Sequence, residues 1–271
     1  MNIPILVENW PTFLADMIGL IRSELFYLKL RNTLKIEMRP HSTDSSNFVE
    51  IWIMRYYSPT GLEIGETDTV VDIGAHIGLF SLMAASQARK GVVYALEPNG
   101  ENFRMLQNNT RINGIKNLVP INVAVANEDG ERELYVSPGN PASHSFYSTE
   151  RNKKELVRTV CLESFLDERN IRQVDYLKMD CEGAEYEILC NCPSRVLKVV
   201  KKIALEYHIA EERATREKLA CLKARLLEHG FVVDVNPLYN DLGMLYANRV
   251  VEDREKGVWA ECQSVLIEPA R

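Results

Sequence analysis

The sequence predicts an α/β protein with a doubly wound, mostly parallel β-sheet. From Thr69 onward, short β-branched and apolar runs alternate with helical patterns, which is typical of parallel strands joined by crossover helices. The chain has 271 residues, of which 46% are hydrophobic and 26% are charged, enough for one large domain. Ligands bind at the carboxyl ends of the strands in such sheets, so the functional residues are expected there.

The first sixty residues are expected to form an N-terminal extension of helix and short strands. Apolar residues at near-helical spacing, interrupted by charges, predict an amphipathic helix from Pro11 to Leu30 that is too charged to span a bilayer. We expect it to pack on its own domain or to join two copies of the chain as a homo-oligomer, with attachment to a membrane surface as the alternative. Residues 33–39 and 47–53 are predicted to be strands. An aromatic cluster, expected to be core or to cover a ligand, follows: Trp52, Tyr56 and Tyr57.

The strand predicted at Thr69–Ile73 leads into a glycine loop and then a helix over 78–89. Gly74 and Gly78 lack the Cβ atoms that keep a backbone away from a ligand, and the first turn of the helix offers free N–H groups. A dinucleotide fingerprint has the spacing G-x-G-x-x-G, whereas this loop has G-x-x-x-G, and Asp72 would repel a pyrophosphate. The loop therefore favours S-adenosylmethionine over NAD.

The next predicted strand, at 91–97, ends in an acidic residue. Glu97 lies about twenty residues after the glycines, where a carboxylate that binds a ribose is expected. Its two oxygens can accept hydrogen bonds from both ribose hydroxyls. The loop and this acid together predict a cofactor that contains a nucleoside.

The rest of the main domain, expected to span residues 61–250, continues the alternation up to a C-terminal tail at 251–271. The predicted elements are a helix at 100–113, a strand at 118–126, a hairpin through 131–136, a strand near 157–161, a helix at 162–169, a strand at 174–180, a helix at 183–190, a strand at 199–207, a helix at 211–229, and strands at 231–236 and 243–250.

Two of these strands end in acidic residues at the same sheet edge. Asp180 and Glu182 follow one strand, and Glu206 and His208 close the other. Residues 206 and 208 share a strand face because side chains alternate along a strand. We therefore expect three carboxylates and one imidazole in one cluster.

Five motifs stand in a fixed order along the chain. They read V-D-I-G-A-H-I-G, L-E-P-N, T-V-C-L-E-S-F-L, D-Y-L-K-M-D-C-E-G-A-E and E-Y-H. With these motifs the chain resembles the FkbM family of S-adenosylmethionine-dependent methyltransferases, whose signature is D-x-x-K-x-D-x-E-G-x-E, over roughly Phe48 to Pro237. The resemblance implies a Rossmann-like class I methyltransferase fold with an antiparallel last strand. It also implies methylation of a hydroxyl on a small molecule, commonly a sugar or a natural product.

The resemblance further implies a set of cofactor-binding residues at the matching positions. The methionine end would meet the loop residues Asp72, Gly74, Ala75, His76 and Gly78. The ribose would meet Glu97, with Pro98 and Asn99 beside it, the adenine would meet the stretch around Ala124, and Asp180 completes the set. The chain departs from the family at His76, where Asn is common, and at Cys161, where Thr is common.

The acidic cluster supplies the catalytic candidates. Methyl transfer from a sulfonium to an alcohol is an in-line displacement that benefits from a general base. Histidine titrates near neutral pH, so His208 is the first candidate, with Glu206, Asp180 and Glu182 as the other catalytic residues. Mg²⁺ bound to this cluster is the less favoured alternative to a metal-free site, and Glu182 as a helix cap and His208 as a structural histidine are the bland ones. A polar stretch around His144 is a candidate to close the site.

Charge and cysteine content narrow the partners. The net charge of −6, without a dense basic run, argues against nucleic acid. Six cysteines without a C-x-x-C pair, and no secretory-type leader, lead us to expect reduced thiols in a cytoplasmic protein. An RNA or protein methyltransferase, a catalytically silent cofactor-binding module and an NAD-dependent oxidoreductase are the alternatives. A nitrogen-methylating site would have an N/D-P-P-Y/F turn where residues 180–183 read D-C-E-G.

Overall fold

The N-terminal segment is built from short helices and one pair of strands. The computed structural model describes residues 3–136, 153–209, 216–239 and 241–249. The elements of this segment are α1 (Ile3–Leu6), α2 (Trp10–Met17), β1 (Phe26–Lys29), β2 (Lys35–Met38), α3 (Asp44–Phe48) and a π-helical stretch, Val49–Ile53. β1 and β2 pair in antiparallel fashion, which confirms the strand predicted at 33–39.

The prediction of one helix from Pro11 to Leu30 is wrong. α2 ends at Met17, and Gly19 follows with a φ of +73°, a conformation that stops a helix at little cost for glycine. Phe26 and Leu28 are buried, whereas the residues after each of them are exposed. This two-residue period belongs to a strand, and its apolar positions had been fitted to a helical pattern.

The prediction of a strand at 47–53 is also wrong. Phe48, Ile51 and Trp52 follow the spacing i, i+3, i+4 and place their side chains on one helical face. The rings of Phe48 and Trp52 stack with centroids 6.0 Å apart. An apolar run this short fits both periods, and packing decided for the helix.

Ten strands follow the N-terminal segment. They are β3 (Thr69–Ile73), β4 (Val92–Leu96), β5 (Leu118–Ile121), β6 (Ala124–Ala126), β7 (Gly130–Val136), β8 (Lys153–Cys161), β9 (Val174–Met179), β10 (Val200–His208), β11 (Phe231–Pro237) and β12 (Leu242–Arg249). Seven of them form one sheet in the order β11-β12-β10-β9-β3-β4-β5. All pairs from β10 to β5 are parallel, and β12 is antiparallel to both of its neighbours. This topology confirms the doubly wound, mostly parallel sheet with an antiparallel last strand.

The predicted strand at 118–126 divides between two sheets. β5 ends the large sheet, and β6 joins β8 and β7 in a small three-stranded sheet. Asn122 lies between them, and its side-chain amide donates to the backbone carbonyls of Glu97 and Pro98. This tie turns the chain away from the large sheet beside the end of β4.

Six helices accompany the strands. They are α4 (Leu79–Gln87), α5 (Gly100–Ile112), α6 (Leu162–Glu168), α7 (Glu185–Asn191), α8 (Ser194–Val199) and α9 (Arg216–Glu228). Five match predicted helices and α8 was not predicted; residues 211–215, where the ninth helix was expected to begin, lie outside the described residues. In the part of the chain that the structure describes, no helix is long and apolar enough to cross a membrane.

The large sheet lies between two apolar clusters. Val70 and Tyr176 face the first cluster, together with the N-terminal segment, α4 and α5, whereas Val71 and Leu177 face the second, together with α6 to α9. The alternation along each strand therefore buries both faces of the sheet. Its carboxyl edge stays open to ligands beside the N-terminal segment.

Candidate active site

The glycine loop after β3 and the loop after β9 touch through their backbones. Gly74 has a φ of +74°, and a Cβ atom there would collide with the carbonyl oxygen of Asp180. A Cβ on Gly78, whose φ is +91°, would lie 2.6 Å from a methyl carbon of Leu106 in α5. Only glycine fits residue 74 without moving a neighbouring backbone. His76, between the two glycines, has a φ of +53°, which histidine tolerates better than most residues.

A buried ion pair supports this loop from below. Lys178 Nζ on β9 lies 3.1 Å from Asp72 Oδ1 and donates to the carbonyl oxygen of Gly74 at 2.6 Å. The Ser81 hydroxyl donates to the other oxygen of Asp72. Burial lowers the pKa of Lys178, but Asp72 and then Asp180 raise it by more, so the ammonium stays charged. Asp72 thus lies behind the loop, fully buried, as the counter-ion of Lys178.

Glu97 begins the turn after β4 and is buried beside the glycine loop. Its Oε2 accepts the backbone N–H of His76 at 2.8 Å, and its Oε1 accepts that of Asn99 at 2.9 Å. Burial raises the pKa of Glu97 to about 7, although these backbone bonds and the Asn102 side chain act in the opposite direction. A carboxylate accepts about four hydrogen bonds, so Glu97 keeps capacity for a ligand hydroxyl.

Asn99 is the N-cap of α5. Its Oδ1 accepts the backbone N–H groups of Glu101 and Asn102, and its Nδ2 donates to Glu155 Oε2 at 2.9 Å. Such a cap fixes the start of the helix and the turn that presents Glu97. Pro98, between them, lines the cleft that Glu97 faces.

This first cleft runs from the glycine loop to the small sheet. One wall is apolar and comes from the ends of β4 and β5 and from β6 and β7; the other is polar and comes from the two loops. Its lining residues are Asn47, Ile73, Gly74, His76, Leu96, Glu97, Pro98, Asn102, Val123, Ala124, Val125, Leu134, Asp180, Cys181 and Glu182. An apolar slot beside a buried carboxylate suits a ligand with an aromatic base and a ribose.

The four predicted catalytic residues lie together, and Tyr57 joins them. Tyr57 Oη lies 2.9 Å from Asp180 Oδ2 and 2.8 Å from Glu206 Oε2. His208 Nε2 lies 3.5 Å from Glu206 Oε1 and 3.6 Å from Glu182 Oε2. The expected cluster of three carboxylates and one imidazole is therefore present at the sheet edge.

Burial and mutual repulsion set the charges of this cluster. Burial, and then the neighbouring Asp180, raise the pKa of Glu206 to about 8. Burial lowers the pKa of His208, but the carboxylates around it, Glu185 and Glu182 foremost, raise it by more. Burial and the same acids raise the pKa of Tyr57 well above its usual range, so the phenol keeps its proton.

Glu185 fixes the loop that presents Asp180 and Glu182. Its carboxylate is fully buried and accepts the backbone N–H groups of Cys181 at 2.7 Å and Gly183 at 2.9 Å. Glu182 itself has a φ of +52°, and its side chain reaches toward His208. The bonds expected of a Glu182 cap are thus made by Glu185.

The cluster lines a second cleft that adjoins the first. Gly74, His76, Asp180 and Glu182 line both clefts, so a ligand in one would touch a ligand in the other. The remaining walls come from the N-terminal segment, α4 and β10. They are Thr43, Ser46, Asn47, Glu50, Ile51, Tyr57, Ala75, Leu79, Phe80, Lys178, Glu206, His208 and Leu242.

Sequence reasoning missed several residues of the site. Lys178 and Glu185 are letters of the D-x-x-K-x-D-x-E-G-x-E motif, which could have marked them. Tyr57 was noticed only as one aromatic residue of three. Glu50 gave no signal, because the stretch that positions it was assigned to a strand; burial and then Asp180 raise its pKa.

His76 is tied to the N-terminal segment by a second charged group. Arg39 Nη2 lies 3.0 Å from His76 Nε2 and donates to Asp44 Oδ1 at 2.9 Å. Asp44 is fully buried and lies 3.6 Å from the same histidine nitrogen. The histidine that departs from the family pattern therefore joins the glycine loop to α3.

Metal and cysteine expectations meet the following facts. Among the side chains that the structure describes, no group of three His, Cys, Asp or Glu residues is arranged to hold a metal ion. The five described cysteines, Cys161, Cys181, Cys190, Cys192 and Cys221, are free. His144, Cys262 and the predicted tail at 251–271 lie outside the described residues.

Comparison with known proteins identifies relatives of the chain. A family model described as "Methyltransferase FkbM domain" matches residues 72–233, more than half of the chain. The 31-O-demethyl-FK506 methyltransferase FkbM of Streptomyces tacrolimicus is 27% identical over 225 residues, which are 70% of this chain and 83% of that protein. The hexuronic acid methyltransferase AglP of Haloferax volcanii is 24% identical over 54% of this chain and 58% of its own length. The AMB antimetabolite synthetase AmbE of Pseudomonas aeruginosa is 24% identical over 69% of this chain, which spans only 10% of that protein.

Proposed function

The chain belongs to the FkbM methyltransferase family, and from this premise we propose that it transfers a methyl group from S-adenosylmethionine to a hydroxyl oxygen of a small molecule. The observation on which the proposal depends is the junction of the two clefts. One cleft has the features of a nucleoside site, the other contains a cluster of proton-accepting groups, and Asp180 borders both.

The first cleft fits the cofactor by its chemistry. Glu97 is 4% exposed, and its carboxylate has capacity for the ribose hydroxyls. The apolar wall of Val123, Ala124 and Val125 would hold the adenine. The loop from Gly74 to His76 and the acid Asp180 would meet the methionine end, whose ammonium group suits a carboxylate.

Asp72, Gly78 and Asn99 would act on the cofactor through the residues that they position. Asp72 holds Lys178, which binds the carbonyl of Gly74. Gly78 lets α4 begin against α5, and Asn99 fixes the turn after Glu97. We propose that these three residues shape the cofactor site from behind.

The second cleft supplies the proton acceptor. When bound, S-adenosylmethionine supplies an electrophilic methyl carbon on a cationic sulfur, so the acceptor hydroxyl must lose a proton as its oxygen is methylated. His208 is our first candidate for the base, because it ends β10 beside Glu182 and Glu206 and titrates near neutral pH. No divalent ion is needed for this role, and we favour a metal-free site.

The relatives support a small-molecule acceptor. The printed names of the two methyltransferases describe an O-demethylated FK506 and a hexuronic acid, which are hydroxylated small molecules. We propose an acceptor of that kind, a sugar or a natural product. The same comparison gives no support to nucleic acid as the partner, and a cytoplasmic setting stays a prediction.

Contact between two copies through α2 also stays a prediction. Leu14 and Met17 of this helix, and Ile18 after it, are exposed. Light scattering on the purified chain and on Leu14→Glu would test it: a dimer that becomes a monomer on substitution supports the contact.

The function is tested by methyl transfer from labelled S-adenosylmethionine to a panel of hydroxylated sugars and natural products. We expect a methyl ether, and we expect His208→Gln to lower kcat about a hundredfold, the usual contribution of a general base. His229→Gln is the matched control, since His229 contacts Ser194 Oγ at 2.9 Å in another part of the molecule. Methylation of nitrogen only, or cofactor binding without transfer to any oxygen, would contradict the proposal.

A further inference from the structure

Tyr57 touches two carboxylates with one hydroxyl group. Its Oη lies 2.9 Å from Asp180 Oδ2 and 2.8 Å from Glu206 Oε2. Both distances are those of hydrogen bonds between oxygens, yet a phenol has a single hydrogen to donate. One of the two contacts must therefore contain a second proton, which belongs to a carboxyl group.

Both carboxylates in the ionised form would make this geometry repulsive. The phenol would donate to one carboxylate and present its lone pairs to the other at hydrogen-bond distance. Two acids that share a buried site lose their protons one at a time for the same reason. The arrangement is satisfied when one acid donates to Tyr57 and Tyr57 donates to the other.

We propose that Tyr57 is a positioning residue that holds one proton between Glu206 and Asp180, which keeps Glu206 a neutral acid and Asp180 an ionised carboxylate. This assignment rests on the proposed function only for its catalytic meaning. Glu206 then donates through Oε2 to Tyr57, and its other oxygen, Oε1, faces His208 Nε2 at 3.5 Å. Glu206 cannot be the general base, because it already holds a proton.

The surroundings favour this distribution of charge. Burial and Asp180 raise the pKa of Glu206 to about 8, so the acid keeps its proton at neutral pH. Glu50, a further acid of the second cleft, adds to the repulsion. Lys178 lies 5.1 Å from the centre of the Tyr57 ring but is paired with Asp72. Glu182 and the imidazole of His208 are the remaining charged groups of the cluster.

The rest of the fold holds Tyr57 in place. Its side chain is buried, its ring packs edge-on against Phe80 with centroids 6.0 Å apart, and its backbone carbonyl accepts the hydroxyl of Tyr176. Tyr57 lies outside the segment that the family model matches, 72–233. The N-terminal segment therefore contributes a group to the proton chemistry of the sheet edge.

The first test measures the proton itself and needs no substrate. Infrared difference spectra between the wild type and Glu206→Gln at pH 7 should show one protonated carboxylic acid that is lost as the pH rises through about 8. The absence of that band in the free wild type would overturn the proposal. This result is independent of whether any acceptor is methylated.

The second test uses two variants of similar size. Gln at position 206 can donate to Tyr57 and present a carbonyl to His208, as the neutral acid does, whereas Met can do neither. We expect Glu206→Gln to lose about tenfold in kcat or less and Glu206→Met to lose at least about a hundredfold. Equal and severe losses would mean that Glu206 acts as an ionised base, and the proposal would fall.

The third test asks what Tyr57 does to the pH profile. Activity should decline above about pH 8 in the wild type as Glu206 ionises, and the decline should be absent in Glu206→Gln. Tyr57→Phe removes the bridge that favours the singly protonated pair, so its decline should move to lower pH by about one unit. An unchanged alkaline limb in Tyr57→Phe would overturn the positioning role. Failure of all variants and the wild type to methylate any hydroxyl would instead count against the proposed function, while the infrared result would stand.

Discussion

Replacing Asp72 by Asn should destabilise the protein strongly, because it leaves a buried ammonium without its counter-ion. The side chains of Asp72 and Lys178 are 0% and 4% exposed, and their charged atoms lie 3.1 Å apart. At an effective dielectric constant of about 20, charges at this distance interact with roughly 5 kcal/mol. Removing one partner of a buried pair typically costs about 3–5 kcal/mol. We expect a loss in that range, with the carbonyl of Gly74 as the remaining partner of Lys178.

Urea unfolding followed by circular dichroism measures this loss from the shift of the midpoint. Glu66→Gln is the matched control, since it breaks an exposed ion pair of similar length, 3.0 Å to Lys90, and should cost less than about 1 kcal/mol. The double variant Asp72→Asn with Lys178→Met should regain part of the stability, because no buried charge remains. A cost below about 1 kcal/mol for Asp72→Asn would refute the view that this pair supports the loop.

Three further predictions concern the loop and the ribose acid. Gly74→Ala should weaken S-adenosylmethionine binding and lower the thermal midpoint by several degrees, because its Cβ collides with the Asp180 carbonyl; an unchanged midpoint would contradict the geometry. Glu97 has a folded-state pKa of about 7 against a usual 4.5, so its contribution to stability is full below about pH 4.5 and is lost as the pH rises through about 7. In urea unfolding at several pH values, Glu97→Gln should flatten this decline, and an identical pH dependence would refute it. His76→Asn should keep the fold, whereas His76→Val should cost about 1–3 kcal/mol at a φ of +53°; equal unfolding midpoints for the two would show that backbone strain is not decisive.

The central part of the fold was predictable because its signals are local. The β-branched run Thr69–Ile73 and the glycines after it specify a buried strand and a sharp turn without help from distant residues. The ends of β4, β9 and β10 could then be placed at one edge by the rules of parallel sheets. Glu97, Asp180 and His208 were found in this way.

The N-terminal segment was not predictable because its structure depends on packing. Phe48, Ile51 and Trp52 fit a strand and a helix equally well until they meet the rest of the first core. Tyr57 acquires its role only from Asp180 and Glu206, which lie 123 and 149 residues further along the chain. No local pattern contains that contact.

The roles of Asp72 and Asn99 show a second limit. The motif marks both positions, but a motif does not say whether a residue touches the ligand or supports one that does. Lys178 turns Asp72 away from the cleft, and the first turn of α5 engages Asn99. Both outcomes depend on partners that the spacing of the motif leaves open.

Calorimetric titration with S-adenosylmethionine, S-adenosylhomocysteine and NAD, on the wild type and on Glu97→Ala, tests the central claim most directly. We predict that both adenosyl compounds bind, that NAD does not, and that Glu97→Ala weakens the binding about tenfold or more, since it loses hydrogen bonds to a charged group. Binding of NAD, or no binding of either adenosyl compound, would contradict the account of the first cleft and of the methyl transfer built on it.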